Sequence, residues 1–245
     1  MQPSATADQS GALAWASAVP RAAGRRMRAW LDVEPVDGRP ESMLWTASLV
    51  LLRHLEVEQS AGYWCGKRVL ELGAGMGHLA VGLARMGAHV TATEAGYSGV
   101  DVLQAWSTHL LKERAGGGEP AGDGALSAGR DAHGGTVRTQ ELWWGARDGL
   151  STTFEEGFDV VILSELVYDE DLHEELLLTL GRALRPGAVA YSGFCDRPWS
   201  FNFFVLLAEA DVRPGFAVEE VEPRELLELD TETESLHLHV ITRPG

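Results

Sequence analysis

Apolar positions along the chain switch repeatedly between a strand-like run and a helical period. Val69 and Leu70 belong to an apolar run that stops at Glu71-Leu72-Gly73-Ala74-Gly75-Met76-Gly77. Leu79 and Leu83 then recur at helical spacing, with Ala80 and Ala84 as a thin face able to lie close on a sheet. Gly87 ends that predicted helix, and Ala88 to Thr93, with Val90, Thr91 and Thr93 β-branched, reads as a second strand delivering Glu94. Upstream, residues 41–56 (ESMLWTASLVLLRHLE) carry apolar residues around most of a helix. Downstream, the pattern predicts a helix over Val100 to Leu111, a strand over Thr136 to Leu142 and a buried strand within Phe158 to Ser164, marked by the unbroken apolar run Val160 to Leu163.

Leu176 to Leu184 reads as the next helix, broken by Arg185-Pro186-Gly187 before a strand over Ala188 to Phe194. Trp199 to Ala210 has an amphipathic helical pattern, and Phe216 to Val221 and Leu236 to Ile241 read as closing strands. In the last of these Leu236, Leu238 and Val240 alternate with His237 and His239, which places both histidines on a solvated face. Residues 115–135 (AGGGEPAGDGALSAGRDAHGG) are too rich in glycine for helix or strand and read as a flexible insertion. Helices and strands alternate until a late hairpin. The predicted class is therefore α/β, a three-layer sandwich with a mostly parallel sheet and one antiparallel strand near its edge.

The turn at Glu71 to Gly77 carries the first candidate chemistry. Glycines permit a tight turn and close approach of backbone N–H groups to a ligand, and an acid about 20 residues further on, here Glu94, can accept from ribose hydroxyls. The spacing is acid-x-Gly-x-Gly-x-Gly rather than GxGxxG, which disfavours a dinucleotide, and the absence of a lysine after the glycines excludes a Walker P-loop. A βαβ unit that keeps its glycines only for the turn is the bland alternative.

ELGAGMG and TATE resemble motif I and the acidic loop of the seven-β-strand methyltransferases, which bind S-adenosylmethionine (SAM). The resemblance implies a seven-stranded Rossmann-like sheet of the class I methyltransferase type, and it assigns SAM contacts to Glu71, Gly73, Ala74, Gly75, Gly77 and Glu94. LWTASLVLLRHL resembles the helix preceding motif I in methyltransferase family 16, where a tryptophan beside the cofactor recurs; that position is Trp45, which on its pattern alone is a core residue. Leu142, Trp144 and Gly145 match the family's Leu-x-Trp-Gly turn, which implies that Trp144 walls the adenine. The segment Ser164-Glu165-Leu166-Val167-Tyr168 resembles the Asp-x-x-Tyr motif of the family's protein lysine methyltransferases, with glutamate in place of aspartate. By that resemblance Ser164 joins the cofactor site, while Glu165 and Tyr168 form the catalytic pair, orienting an incoming lysine ammonium and packing on its stem. A helix N-terminus with acids near its dipole is the alternative for the same residues. An arginine follows the next strand in family members, so Arg197 reads as an anchor or a surface ion pair.

Composition narrows the partners. At 245 residues and 45% hydrophobic the chain suits one domain, taken as residues 41–245, preceded by an Ala-, Ser- and Pro-rich extension over residues 1–40. Arg21, Arg25, Arg26 and Arg28 with few acids give that extension a transit-peptide character, set against a variable tail. A net charge of −16 argues against nucleic acid and for a basic, lysine-rich protein substrate, towards which the acidic run from Glu219 to Glu234 also points. Cys65 and Cys195 lie far apart with no metal-ligand spacing, and no stretch is long enough to span a bilayer, so the expectations are a reducing, cytoplasmic setting, no metal, no membrane and a monomer. The activity expected from the resemblance is SAM-dependent N-methylation of protein lysines. A small-amine or other side-chain methyltransferase, a SAM-binding module without catalysis, and a nicotinamide oxidoreductase stand as alternatives.

Overall fold

The structure is a computed structural model that describes residues 46–60, 62–112, 126–127, 134–145, 154, 157–209, 215–222 and 236–244. Helix α1 (Thr46–Glu58) leads into strand β1 (Arg68–Leu72), helix α2 (His78–Arg85), strand β2 (His89–Glu94) and helix α3 (Gly96–Lys112). Strands β3 (Leu126–Ser127), β4 (Thr136–Glu141) and β5 (Phe158–Ser164) follow, then a 3₁₀ turn (Glu170–Leu172) and helix α4 (His173–Ala183). Strand β6 (Leu184–Cys195), helix α5 (Asn202–Glu209) and strands β7 (Ala217–Val221) and β8 (Leu236–Thr242) complete the described elements.

These strands form one sheet in the order β3-β4-β2-β1-β5-β6-β8-β7. Strand β8 inserts between β6 and β7 and runs antiparallel to both, whereas β4, β2, β1, β5 and β6 are mutually parallel. Setting aside the two-residue edge strand β3, this is the seven-stranded sheet with one antiparallel member that the sequence predicts. Strand order reverses beside β1: the chain moves to β2 and β4 on one side, then returns to β5 on the other. A crevice opens at the carboxyl ends of strands at such a switch point.

Alternate residues of each strand face opposite layers. Val69, Val160 and Ile162 pack with Leu51 and Leu55 of α1, Leu79 and Leu83 of α2 and Leu103 of α3. Leu70, Val161 and Leu163 face the other layer with Leu176 and Leu180 of α4 and Phe203 and Leu207 of α5. Ala80 and Ala84, the thin face expected on α2, are both buried in this layer, and at Gly82 a Cβ would stand 2.6 Å from Leu52 Cδ2 of α1.

Four expectations need correction. Leu126–Ser127, within the glycine-rich stretch, pairs antiparallel with Val137 and Thr136, at a point where the run of glycines is interrupted and the backbone loses less freedom on pairing. The Arg185-Pro186-Gly187 break does not delay the strand: β6 begins at Leu184 and absorbs the extra residues as a bulge, its register jumping from Phe158↔Leu184 to Val160↔Val189, with Gly187 at φ 77°. Trp199 lies in a turn before α5 rather than in the helix. His239 is not on a solvated face; it is 6% exposed, and its ring stacks on Phe204 at 4.1 Å and on Phe194 at 5.6 Å, because α5 covers that side of β8. His237 is half-buried and bonds to Glu220 through Nδ1 at 2.7 Å. The predicted extension over residues 1–40 and most of residues 115–135 lie outside the described residues.

Candidate active site

Strands β1 and β5 are direct neighbours, so the turns that end them meet. Gly73, Gly75 and Gly77 all take left-handed backbone, at φ 56°, 54° and 75°, which coils the loop tightly between β1 and α2. A Cβ at Gly73 would stand 2.6 Å from Leu166 Cδ2 in the turn after β5, so this glycine lets the two turns approach. Three of the loop's N–H groups are committed internally. Ala74 N donates to Thr93 O at 2.8 Å, Gly77 N to Ala74 O at 2.9 Å, and Gly75 N to Glu94 Oε2 at 2.8 Å. These three amides are bonded within the loop and its neighbours, so what the glycines supply here is the shape of the turn.

Glu94, at the end of β2, also accepts from Ala95 N at 3.0 Å through Oε1. A carboxylate has about four acceptor sites, so two amides leave acceptor capacity towards the crevice. Glu71 stands deeper, 2% exposed, and its Oε2 has no hydrogen-bond partner. Burial, reinforced by the charge of Glu94 and opposed by a hydrogen bond from the Ala80 backbone, pushes the Glu71 pKa up to about 8. His78, at the start of α2, is buried too, and desolvation pushes its pKa down to about 4, so it is neutral near pH 7.

The turn after β5 is built differently. Glu165 adopts φ 57°, unusual for a residue with a side chain, and its N–H donates to Gly193 O at 2.8 Å. That backbone aims the carboxylate at the end of β6, where Oε1 accepts from Cys195 N at 3.1 Å and Oε2 from Arg197 Nη1 at 2.6 Å. Glu165 lines the crevice, but its carboxylate is held by an arginine rather than presented bare to an incoming ammonium. The Arg197 guanidinium also lies 5.9 Å from the centre of the Tyr168 ring. Tyr168 is 54% exposed at the mouth, and partial burial together with the Asp169 and Glu94 charges raises its hydroxyl pKa, opposed by Arg197. Ser164 Oγ pairs with Ser48 Oγ of α1 at 2.8 Å, tying the helix to the strand end.

Together these groups enclose a cleft of about 570 Å³. It brings together Glu71, Gly73, Ala74, Gly75, Glu94, Trp144, Ser164, Glu165 and Tyr168 from the predicted set. Gly77 packs behind it, where a Cβ would meet Ser107 Oγ at 2.5 Å and Leu103 Cδ1 at 2.8 Å. Trp45 lies outside the described residues. Sequence reasoning missed Ser48, His78 and Trp143, which also line the cleft. The tryptophan doublet Trp143-Trp144 was a signal for the last of these, and Ser48 falls within the helix that the sequence predicts over residues 41–56. Among the described residues no group of three His, Cys, Asp or Glu side chains converges to hold a metal ion.

The sheet order, with its single reversed strand and switch-point cleft, defines the fold of the SAM-dependent class I methyltransferases. A methyltransferase from Pyrococcus furiosus superposes with a TM-score of 0.58 over 96% of this chain and 98% of its own, at 16% identity. The 16S rRNA N2 G1207 methyltransferase of T. thermophilus, in complex with AdoMet and guanosine, superposes with a TM-score of 0.52 over 82% of this chain and 44% of its own, at 20% identity. Identities that low establish the fold alone. In sequence, the chain is similar to the Danio rerio protein N-lysine methyltransferase METTL21A, 29% identical over 139 residues, which are 57% of this chain and 53% of the relative. The chain spans about half the length of the curated relatives it matches. No family model matches it.

Proposed function

We propose that this chain is a SAM-dependent N-methyltransferase acting on lysine side chains of a basic protein. The observation that carries the reading is the meeting of the glycine turn after β1 and the Glu165–Tyr168 turn after β5 in one cleft. The residues present fit the cofactor. Glu71 has an unbonded buried oxygen for a cationic group, Glu94 has acceptor capacity for ribose hydroxyls, and Trp143 and Trp144 offer apolar walls for a base. The committed amides of the glycine turn suit a ligand that carries no phosphate. The N-lysine methyltransferase relative supports this choice of cofactor and substrate, and the methyltransferase fold shared with the AdoMet-bound neighbour agrees with the cofactor.

When bound, SAM supplies an electrophilic methyl group on a sulfonium. The chain's own task is to align a neutral amine and exclude water, and alignment can supply much of the rate. A free lysine, with a pKa of about 10.4, is mostly protonated at neutral pH. Partial burial of the amine in the cleft would favour its neutral form. Tyr168, half exposed, packs along the lysine stem, while Glu165 fixes Arg197 and the end of β6. The charge of −16 suits a basic substrate, and two cysteines far apart in the sequence suit a reducing, cytoplasmic setting.

A SAM-binding module without catalysis is the second reading, favoured by the capture of the Glu165 carboxylate by Arg197. Incubation with labelled SAM and a cell lysate, followed by mass spectrometry of methyl-lysine, separates the two. Methyl-lysine formed by the wild type and abolished by Tyr168→Ala is the expected result; SAM binding with no methyl-lysine from the wild type favours the module.

A further inference from the structure

Beside the cleft lies a second, more open groove of about 470 Å³, lined by Asp196, Pro198, Trp199, Phe201 and Asn202, with Arg197 shared between the two. We propose that this groove is the docking site for the basic segment flanking the target lysine, with Trp199 as its apolar anchor. The inference rests on the lysine-methylation reading and names where the substrate chain lies.

Trp199 is 62% exposed, and with Glu165 it is one of the two non-glycine residues at positive φ among the described residues, at 76°. Both lie at the groove and cleft. A left-handed tryptophan held out into solvent is an unfavourable choice for folding alone, and such outliers persist where surrounding bonds over-determine them. Here the bonds are visible: Ser200 N donates to Arg197 O at 3.1 Å, and Asn202 N to Trp199 O at 2.9 Å. Asn202 Nδ2 donates to Glu170 Oε1 at 2.8 Å, which locks the loop after β6 to the loop that carries Tyr168. The groove and the mouth of the cleft therefore form one continuous rim.

Its chemistry selects the occupant. Exposed apolar surface on Trp199 and Phe201 adjoins the Asp196 carboxylate in the groove, Glu170 stands beside it bonded to Asn202, and the Arg197 guanidinium is bonded to Glu165. Aromatic faces edged by carboxylates recognise lysine and arginine side chains through their stems and charges together. An acidic segment would meet like charge here, and a purely apolar one would leave the carboxylates desolvated.

The test uses the full chain and a fluorescent nonapeptide of alternating lysine and alanine, against a glutamate-for-lysine control, read by anisotropy. Trp199→Gly is the decisive variant, because glycine takes φ 76° without strain and the turn is kept; a thermal melt checks this, and D196N/E170Q removes the charge independently. Trp199→Gly is expected to weaken the lysine peptide about tenfold and to raise its KM in methyl transfer by a similar factor, with kcat within about twofold and SAM affinity unchanged. D196N/E170Q is expected to weaken it about threefold, more at low salt. Equal binding by the wild type and Trp199→Gly, equal binding of the glutamate peptide, or no binding of the lysine peptide overturns the groove. A wild type that binds the peptide here yet transfers no methyl keeps the groove and sinks lysine transfer; transfer with a KM indifferent to Trp199→Gly does the reverse.

Discussion

Glu71 and Glu165 stand at neighbouring strand ends, both buried, and the fold treats them in opposite ways. Among the described residues Glu71, 2% exposed, leaves Oε2 without a hydrogen bond, and burial pushes its pKa up to about 8. Glu165 is 5% exposed and is bonded through one oxygen to the Cys195 amide and through the other to Arg197. A buried carboxylate without a cation holds a proton and gains by receiving a positively charged ligand; one with a cation is an anchor. Position within a motif does not reveal which acid is available, since that depends on what the adjacent strand brings beside it.

Breaking the anchored acid should have the largest effect. Glu165→Ala leaves Arg197 and a strand-end amide without their partner and is expected to cost about 3 kcal/mol in urea denaturation. Arg197→Ala leaves the buried Glu165 carboxylate without its cation and is expected to cost a similar amount, and a double-mutant cycle should show coupling above about 1 kcal/mol. Additive single effects would mean that the pair contributes nothing as a pair.

The uncompensated acid should respond to pH instead. Its folded pKa of about 8 lies above the ordinary 4.5, so the folded state binds more protons than the unfolded between those values, and stability falls as pH rises through that window. Glu71→Gln fixes the neutral form. We expect it to be more stable than the wild type by about 2 kcal/mol at pH 8 after local relaxation, with the gap closing towards pH 5, and to bind SAM more weakly at pH 8. Urea titrations at both pH values check the first part; parallel pH profiles of wild type and variant would contradict it. A smaller effect belongs to the cleft wall: Trp144→Ala should weaken SAM binding by about 1 kcal/mol, roughly fivefold in Kd, without lowering the melting temperature appreciably.

Much of this arrangement was legible before any coordinates. Apolar and β-branched runs marked β1, β2 and β5, a helical period marked α2, and the residues Glu71 to Gly77 and Ser164 to Tyr168 marked the two ends that meet. Patterns fail where long-range partners decide. Alternation in β8 is blind to α5, so His239, polar by identity, turned out to be packed between Phe194 and Phe204. The capture of Glu165 was hidden for the same reason, since Arg197 is 32 residues away in sequence. Pro186 and Gly187 signalled an interruption but not its form, because a bulge is settled by pairing with β5 and β8. Trp199 looked helical by spacing, and only its φ of 76° shows that it stands outside α5.

The central claim is that the two strand ends build one site for an adenosyl sulfonium. Calorimetric titration of SAM into the full chain, at pH 7 and at pH 8.5, tests it most directly. One site with a Kd below about 100 μM, tightening at the higher pH as Glu71 ionises, is the predicted result. No binding at millimolar SAM at either pH would contradict it.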